Sequence, residues 1–419
     1  MKRHNRYTCL VATLAWLTAC GGTEGRWTGT VSDSAGVQIV ANSDAGMWTS
    51  RTRWTVEEEL RIGAVEGDPN YQFGQIGFMA VSSDGRMFVL DAQAQQVKAF
   101  GADGEFQHTV GQPGGGPGEI GPGALFVFAG PGDTLLVPDM ANQRVNLYVP
   151  DGASAGSFRF SFEDGIPMLF QTTSAGVLAV QRRPFPAPNQ PVRDSLDAVV
   201  VLTTGGTVTD TLMTFPSGKT FQMSGGTPEI NLYTQESIWR LTEGLKLIYG
   251  LNDDYRFGLY DSDGTCERIV TKSFEREPVS ERDRDAVMSF LERVWTDAGV
   301  PPAVLPQLRS VVHFGEYFPA FSAIQLGPGG TIWVQHVQSA AALSDEELEQ
   351  YNLLEDTGAP EWDVFDAEGR FLGVVSMPKR FAPRVFRDDK IYGVWRDELD
   401  VQYVMRLRVV MPSGGEATE

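Results

Sequence analysis

Apolar and polar residues alternate in short runs along most of the chain, most clearly in residues 76–111. This segment reads IGFMAVSSDGRMFVLDAQAQQVKAFGADGEFQHTVG. Such alternation between Asp-Gly turns predicts antiparallel strands joined by tight hairpins, because Asp and Gly supply the local hydrogen bonds and the positive φ that these turns need. The four predicted strands are Phe78–Ser82, Met87–Asp91, Val97–Phe100 and Phe106–Val110.

The same four-strand pattern returns along the chain. Its further copies cover residues 124–162, 167–215, 237–270, 321–377 and, with three strands only, 383–410. Four-stranded units that repeat radially form a β-propeller. Thr55–Gly63 supplies the strand that the last copy lacks. We therefore predict an all-β, six-bladed propeller closed by an N-terminal strand, which leaves no open sheet edge.

Several of these segments resemble a known class of propellers. They are FVLD and LLVPD at the ends of second strands, AFGADGEFQHTVGQPGGGPGEI, and YGVWRDELDVQYV near the end of the chain. With them, residues 55–411 resemble the six-bladed propellers of the NHL and TolB-like class, in particular bacterial lipoproteins of unassigned function. The resemblance implies the fold, but a fold by itself does not assign a function.

The first twenty residues have the organisation of a secretion signal. Three basic residues precede an apolar run at 10–19 that is too short to span a bilayer. Leu17-Thr18-Ala19-Cys20 resembles the lipobox of bacterial lipoproteins, which implies cleavage before Cys20 and lipid on that cysteine. Because Gly21 follows instead of Asp, the resemblance also implies the outer membrane. The alternative is an ordinary signal with an incidental cysteine.

These segments predict the organisation of the whole chain. We expect a signal peptide at residues 1–19, then a lipidated N-terminus, tether and leading strand at 20–54. The propeller follows at 55–411, and a flexible tail at 412–419.

The charge of the chain limits its partners. Of 419 residues, 54 are Asp or Glu and 34 are Lys or Arg, which gives a formal net charge of −20. Such a protein is a poor ligand for nucleic acid or for an anionic lipid surface, because both attract basic proteins. The expected attachment to the membrane is therefore the lipid on Cys20.

The long segments between predicted strands all fall on one face of the ring, here called the long-loop face. We name the strands of a blade A to D from the inside outwards. The A-to-B and most C-to-D turns are minimal, whereas the B-to-C loops and D-to-A crossovers on the long-loop face include residues 112–123, 184–196, 216–236, 276–319 and 339–360. Long loops in compact domains are commonly functional. We take this face as the binding surface.

Two of the long segments are predicted to be partly helical. A helix begins after Ser280 and runs to about Asp297, and a capping box at Ser344–Glu347 begins another. These helices form either a lid over a pocket or a packing layer across the ring.

Second strands end at the long-loop face, so the residues at their ends form a predicted ring at the channel mouth. The members are Asp91, Asp139, Arg183, Asp253, His336 and Asp397. Carboxylates gathered there would hold calcium, which takes six to eight oxygen ligands. The alternative is that each Asp caps its own turn. His336 is either a metal ligand or a partly buried structural residue, because it shares a strand face with Ile332 and Val334.

Together these patterns favour a lipid-anchored cell-envelope propeller that binds a ligand or a protein through its long-loop face. No catalytic residue is predicted, and calcium is the one cofactor that the ring would accept. The expected partner is an envelope protein, a peptide or a carbohydrate, and not nucleic acid. The alternative function is a metal-dependent hydrolase or lyase with its site at the channel mouth, which a resemblance to gluconolactonase-like propellers would allow.

Overall fold

The structure is a computed structural model that describes residues 25–184, 195–224, 227–353 and 358–412. The predicted signal peptide at 1–19, Cys20 and all but the first residue of the predicted tail at 412–419 lie outside the described residues.

Six four-stranded antiparallel blades form a propeller ring, as the repeat pattern predicts. Three strands precede the first blade: β1 (Thr30–Ser34), β2 (Val37–Asn42) and β3 (Thr55–Ile62). Blade 1 consists of β4 (Ile76–Val81), β5 (Met87–Asp91), β6 (Gln96–Phe100) and β7 (Phe106–Val110). Blade 2 consists of β8 (Phe128–Ala129), β9 (Leu135–Asp139), β10 (Arg144–Tyr148) and β11 (Ser154–Arg159). Blade 3 consists of β12 (Ile166–Thr172), β13 (Leu178–Arg183), β14 (Leu196–Leu202) and β15 (Val208–Pro216).

The second half of the ring contains the insertions. Strands β16 (Phe221–Ser224) and β17 (Thr227–Leu232) follow blade 3. Blade 4 consists of β18 (Ser237–Leu241), β19 (Leu247–Leu251), β20 (Arg256–Tyr260) and β21 (Cys266–Lys272). It is followed by α1 (Glu281–Asp297), α2 (Leu305–Ser310) and β22 (Val312–Phe314). Blade 5 consists of β23 (Ala323–Leu326), β24 (Ile332–Val337), β25 (Gly358–Phe365) and β26 (Phe371–Ser376), with α3 (Asp345–Glu349) between β24 and β25. Blade 6 consists of β27 (Phe381–Arg387), β28 (Lys390–Arg396), β29 (Gln402–Val410) and β3.

Each pair of neighbouring blades encloses a hydrophobic core of its own. Between blades 1 and 2, for example, Phe88 and Leu90 belong to one buried cluster with Leu135 and Val137. A blade is covered on both faces, which explains why every residue of β5 is buried. A single core stops growing at roughly 250 to 300 residues. Separate cores between the blades allow this longer chain to form one ring.

The ring closes through the N-terminal strand, as predicted. β3 pairs antiparallel with β29, from Ile62 opposite Val404 to Thr55 opposite Val410. Arg406 Nε lies 3.2 Å from Glu59 Oε2 across this pair. Ion pairs at a surface contribute about 0–1 kcal/mol each, so the ladder of backbone hydrogen bonds and the buried Ile62 account for most of the closure.

The segment ahead of the closing strand docks on the outside of the ring. β1 and β2 form a hairpin, and β2 pairs in parallel with β21, so that the sheet of blade 4 has six strands. Asn42 joins this hairpin to blade 5. Its Nδ2 donates to Thr271 O at 3.0 Å and to Gly369 O at 2.9 Å, and its Oδ1 accepts from Phe371 N at 2.8 Å.

The long segments form a small insertion on the long-loop face, which consists of residues 217–236, 273–318 and 338–353. Its sheet has the order β16-β17-β22, and Val287, Tyr351 and Leu353 belong to a hydrophobic core separate from those of the blades. Both predicted helix starts are confirmed, because Ser280 forms a capping box with Asp283 and Ser344 forms one with Glu347.

Candidate functional site

Asp91 and Asp139 of the predicted ring hold the backbone of their own blades. Asp91 accepts hydrogen bonds from Ala94 N and Gly74 N, each at 3.0 Å. Asp139 accepts from Asn142 N at 3.1 Å and Gly121 N at 3.2 Å. Each carboxylate thus ties the B-to-C turn to the crossover that enters the blade. This is the turn-capping arrangement that the sequence left open as the alternative to a metal site.

Two other ring positions are also taken up by local contacts. In blade 4 the residue equivalent to Asp91 is the buried Asn252, whose Oδ1 accepts from Glu236 N at 2.6 Å. Asp253 is exposed one residue further on, and its carbonyl oxygen accepts from Arg276 Nη2 at 2.7 Å. Asp397 Oδ1 accepts from Leu399 N at 2.9 Å and Val401 N at 3.0 Å.

The electrostatics of Asp397 agree with this turn role. Burial raises its pKa, but the hydrogen bonds from Val401 N and Leu399 N outweigh that effect and hold the pKa below its ordinary value. The carboxylate is therefore ionised at neutral pH and held by its own turn.

Arg183 pairs with a carboxylate that the ring did not include. Its Nη2 lies 3.0 Å from Asp197 Oδ2, and Asp197 is fully buried. The same carboxylate accepts from Gln181 Nε2 and from Ser217 Oγ, each at 2.5 Å. This network fixes β13 to β14 and to the start of the insertion.

The five ring positions described so far thus each have hydrogen-bond or ion-pair partners outside the ring, and a shared ligand site at the channel mouth stays a prediction. Among the described residues, no three His, Cys, Asp or Glu side chains are grouped so that they could hold a metal ion. Calcium binding at these carboxylates stays a prediction.

Like Arg183, His336 lies beside a buried carboxylate that has further partners. Its Nε2 is 3.0 Å from Asp363 Oδ1, and its side chain is 37% exposed. Asp363 is fully buried, and its Oδ2 accepts from Lys272 Nζ at 2.6 Å and from Tyr255 Oη at 2.5 Å. We call these four residues the Asp363 cluster. No other described group bonds Asp363 Oδ1, so that oxygen is satisfied when His336 carries a proton on Nε2.

Asp363 is the negatively charged member of the cluster, and it lies between blades 4 and 5. Burial raises the pKa of Asp363, but the hydrogen bond and charge of His336 and the charge of Lys272 outweigh it and keep the pKa below its usual range. Burial and the neighbouring carboxylate raise the pKa of Tyr255 well above its ordinary value, so Tyr255 acts as a neutral donor. A partly exposed histidine oriented by a buried carboxylate is suited to proton transfer.

Asp363 also belongs to a positional pattern that the sequence analysis missed. Lys98, Asn146 and Asp363 are buried, and each stands two residues before the end of the third strand of its blade. Lys98 Nζ donates to Pro69 O at 3.0 Å, and Asn146 Nδ2 donates to Glu119 O at 3.0 Å. In blades 1 and 2 this position therefore anchors the incoming crossover. The signal was present in the sequence as a polar residue with an apolar neighbour on each side, in QVKAF, RVNLY and WDVF.

The central channel has an environment of its own. Its inner part, about 470 Å³, is lined by all six innermost strands, and it opens into a wider space of about 1010 Å³ among the A-to-B turns. Arg240 and Arg387 line both spaces, and Arg384 lines the inner part. The larger of these two spaces therefore lies at the short-turn end of the channel, opposite the face that the loop lengths favoured.

On the other face, hydrogen bonds join two segments of the insertion to each other. Asp283 of α1 accepts from Ser339 Oγ and Ala341 N, each at 2.9 Å, and Arg293 Nη2 donates to Tyr351 O at 3.1 Å. None of the described insertion residues lines the channel spaces given above. Both expectations for the helices, a lid over a pocket and a packing layer across the ring, stay predictions.

The aromatic residues near the long-loop face divide between core and surface. Trp239 and Trp333 are buried in blade interfaces, and Trp239 Nε1 donates to Gln181 Oε1 at 2.8 Å. Tyr317 of the insertion is 39% exposed. Trp239 and Trp333 thus serve packing between blades.

Comparisons with known proteins bear on the fold alone. No family model matches the chain, and no curated protein matches it. Among solved structures, the chain is similar to a member of the DUF4221 family from Bacteroides vulgatus, with a TM-score of 0.50 and 11% identity over 86% of this chain and 100% of that one. It is also similar to a Bacteroides fragilis protein described as exported, with a TM-score of 0.49 and 11% identity over 89% and 99% of the two chains. For virginiamycin B lyase from Staphylococcus aureus the TM-score is 0.43, with 11% identity over 85% and 100%.

The described part of the chain contains no helix with the length and hydrophobicity needed to cross a bilayer.

Proposed function

We propose that this protein is an exported, lipid-anchored propeller of the NHL and TolB-like class, which binds a protein partner through the insertion on its long-loop face without catalysing a reaction. The observation that supports this most directly is that three separate chain segments build one insertion with its own hydrophobic core. The ring does not need such an insertion, because minimal turns join its strands on the opposite face. A rigid platform added to one face is typical of a recognition surface.

The outer surface of the insertion offers apolar side chains to a partner. Val294 is 45% exposed, and Tyr317 is 39% exposed. The insertion is also held in place, since Arg282 Nη2 donates to Leu343 O and to Asp345 Oδ1, each at 2.9 Å. A preorganised surface loses little conformational entropy when it binds.

Cross-linking in intact envelopes, followed by affinity purification, tests this surface. Val294→Asp and Tyr317→Ser should abolish recovery of a partner that the wild-type protein retains, because each removes apolar contact from the insertion. Val208→Asp is the matched control, since Val208 is 41% exposed on blade 3, away from the insertion. Recovery of the partner at the wild-type level with all three variants would contradict binding through the insertion.

The proposed anchor has a test of its own. Cys20→Ser should remove radioactive fatty acid incorporated by growing cells, and the protein should move from the outer-membrane fraction to the soluble fraction. Labelling that persists in Cys20→Ser would contradict lipid on this residue.

A hydrolase or lyase remains the second candidate, and the Asp363 cluster is the observation that favours it. His336 would transfer the proton, and Asp363 would orient the imidazole ring of His336, as in other histidine-carboxylate pairs. A panel of lactone and ester substrates, assayed with His336→Gln and with protein of measured metal content, tests this candidate. Turnover that His336→Gln abolishes would favour the enzyme, and turnover that also follows bound metal would favour its metal-dependent form.

A further inference from the structure

The wall of the central channel carries both basic and apolar side chains. Among the described residues that line its inner part, the charged side chains are Arg240, Arg384 and Arg387, and none is Asp or Glu. This is unexpected in a protein with a net charge of −20. Arg240 comes from blade 4, and the other two come from blade 6.

Arg240 carries positive charge into the channel without a carboxylate beside it. Its Nε donates to Gln325 Oε1 at 2.9 Å and its Nη1 donates to Trp239 O at 2.7 Å. No acceptor of the described residues bonds its Nη2. Burial lowers the pKa of Arg240 to about 10. A partly buried cation without a counter-ion is unfavourable, so an anion in the channel would lower its free energy.

Blades 1 to 3 contribute large apolar side chains to the wall of the channel. The rings of Phe78 and Phe128 lie 5.5 Å apart, and Phe126 stacks on Phe128 at 5.9 Å. Phe78, Phe128 and Phe170 all line the inner part of the channel. These side chains offer a surface to a hydrocarbon or aromatic group.

The size of the space fits one small molecule. The inner part of the channel, about 470 Å³, lies within the usual range of roughly 300–1,000 Å³ for ligand sites.

At the wider mouth, two carboxylates accept hydrogen bonds from neighbouring blades. Asp133 accepts from Ser83 N at 2.8 Å, and Glu243 accepts from Ser174 N at 2.7 Å. These turns link blade 1 to blade 2 and blade 3 to blade 4.

We infer that the channel binds a small amphipathic organic acid, with its carboxylate at Arg240 and its apolar body against Phe78, Phe128 and Phe170. A guanidinium group matches a carboxylate in geometry as well as in charge, because its N–H groups form a planar fork. The site is made by propeller strands and is independent of partner binding by the insertion.

Isothermal titration calorimetry with three probes tests this site on the full chain. Octanoate has both the charge and the apolar body, octanol has the body alone, and inorganic phosphate has the charge alone. We expect octanoate to bind about tenfold or more tightly than either of the others, since a hydrogen bond to a charged group corresponds to about tenfold to hundredfold in affinity.

Variants of Arg240 assign the effect to the channel. Arg240→Gln should weaken octanoate binding by about tenfold or more and leave octanol binding unchanged. Arg256→Gln is the matched control, because Arg256 is exposed on blade 4 and does not line the channel. Arg240→Lys keeps the charge but not the fork and should weaken octanoate binding less, which provides a result if the Gln variant does not fold. Octanoate that binds no better than octanol, or equally well to wild type and to both Arg240 variants, would overturn the proposal.

Discussion

Replacement of Asp363 by Asn should destabilise the protein strongly. The carboxylate is fully buried, and Lys272, whose side chain is 12% exposed, lies 2.6 Å from it. Asn has nearly the same shape, so the substitution removes charge with little change in packing. Lys272 would then keep its charge inside the blade interface without a partner. Removal of one partner from a buried ion pair costs about 3–5 kcal/mol, and we expect a loss of that size in the free energy of unfolding.

Equilibrium unfolding in urea at pH 7 measures this loss, and a second variant identifies its cause. Lys272→Met combined with Asp363→Asn removes both charges, so the double variant should recover at least half of the stability lost by Asp363→Asn alone. A single variant within about 1 kcal/mol of the wild type would refute the reasoning. So would a double variant whose loss is the sum of the two single losses.

The stabilisation by Asp363 should also depend on pH in a defined direction. Its pKa is lower in the folded protein than the value of about 3.9 expected in the unfolded chain. The contribution is therefore fully present above about pH 4 and is lost as the pH falls through the folded pKa. The difference in unfolding free energy between wild type and Asp363→Asn should shrink below pH 4. A difference that stays constant down to pH 2 would contradict this account.

Three further substitutions test other parts of the ring. Asp139→Ala should lower the free energy of unfolding by about 2–4 kcal/mol in urea titrations, because it leaves buried N–H groups without an acceptor; a loss below about 0.5 kcal/mol would show that water replaces the carboxylate. Glu59→Lys should lower the thermal midpoint modestly, by about 1 kcal/mol of stability, since it puts a cation beside Arg406, and high salt should reduce the effect. Asn42→Ala should speed amide hydrogen exchange in residues 30–42 while blade 1 exchanges as before, because Asn42 holds the hairpin to blades 4 and 5; a uniform increase over the whole chain would contradict a local anchor.

Local sequence signals were sufficient to predict the strands and turns of the blades. The Asp-Gly turns of blade 1 place Gly85 and Gly104 at φ of 84° and 87°, values that glycine adopts without strain. The period-two alternation then predicts which residues face the neighbouring blades. The missing fourth strand of the last blade pointed to Thr55–Gly63, and β3 takes that place. All of these depend on residues close together in the chain or on counting repeats.

The position of side chains around the channel did not follow from the same signals. The prediction treated the end of the second strand as Asp253 in blade 4, but the structural position belongs to Asn252, and such a one-residue offset turns a side chain from the protein interior to solvent. Asp139 looked like a free carboxylate at a channel mouth, yet its oxygens are occupied by nearby N–H groups. Loop lengths favoured one face, and the larger cavity lies at the other end of the channel.

The sequence by itself determined that this chain forms a six-bladed ring, where each blade begins and ends, and which strand closes it. Only the tertiary structure decided which polar residues meet. Asp363 receives hydrogen bonds from Lys272 and Tyr255, which are 91 and 108 residues away along the chain. The physical reason is that hairpin geometry is encoded by neighbouring residues. Contacts between blades depend instead on the register and rotation of whole sheets, which are set only when the ring closes.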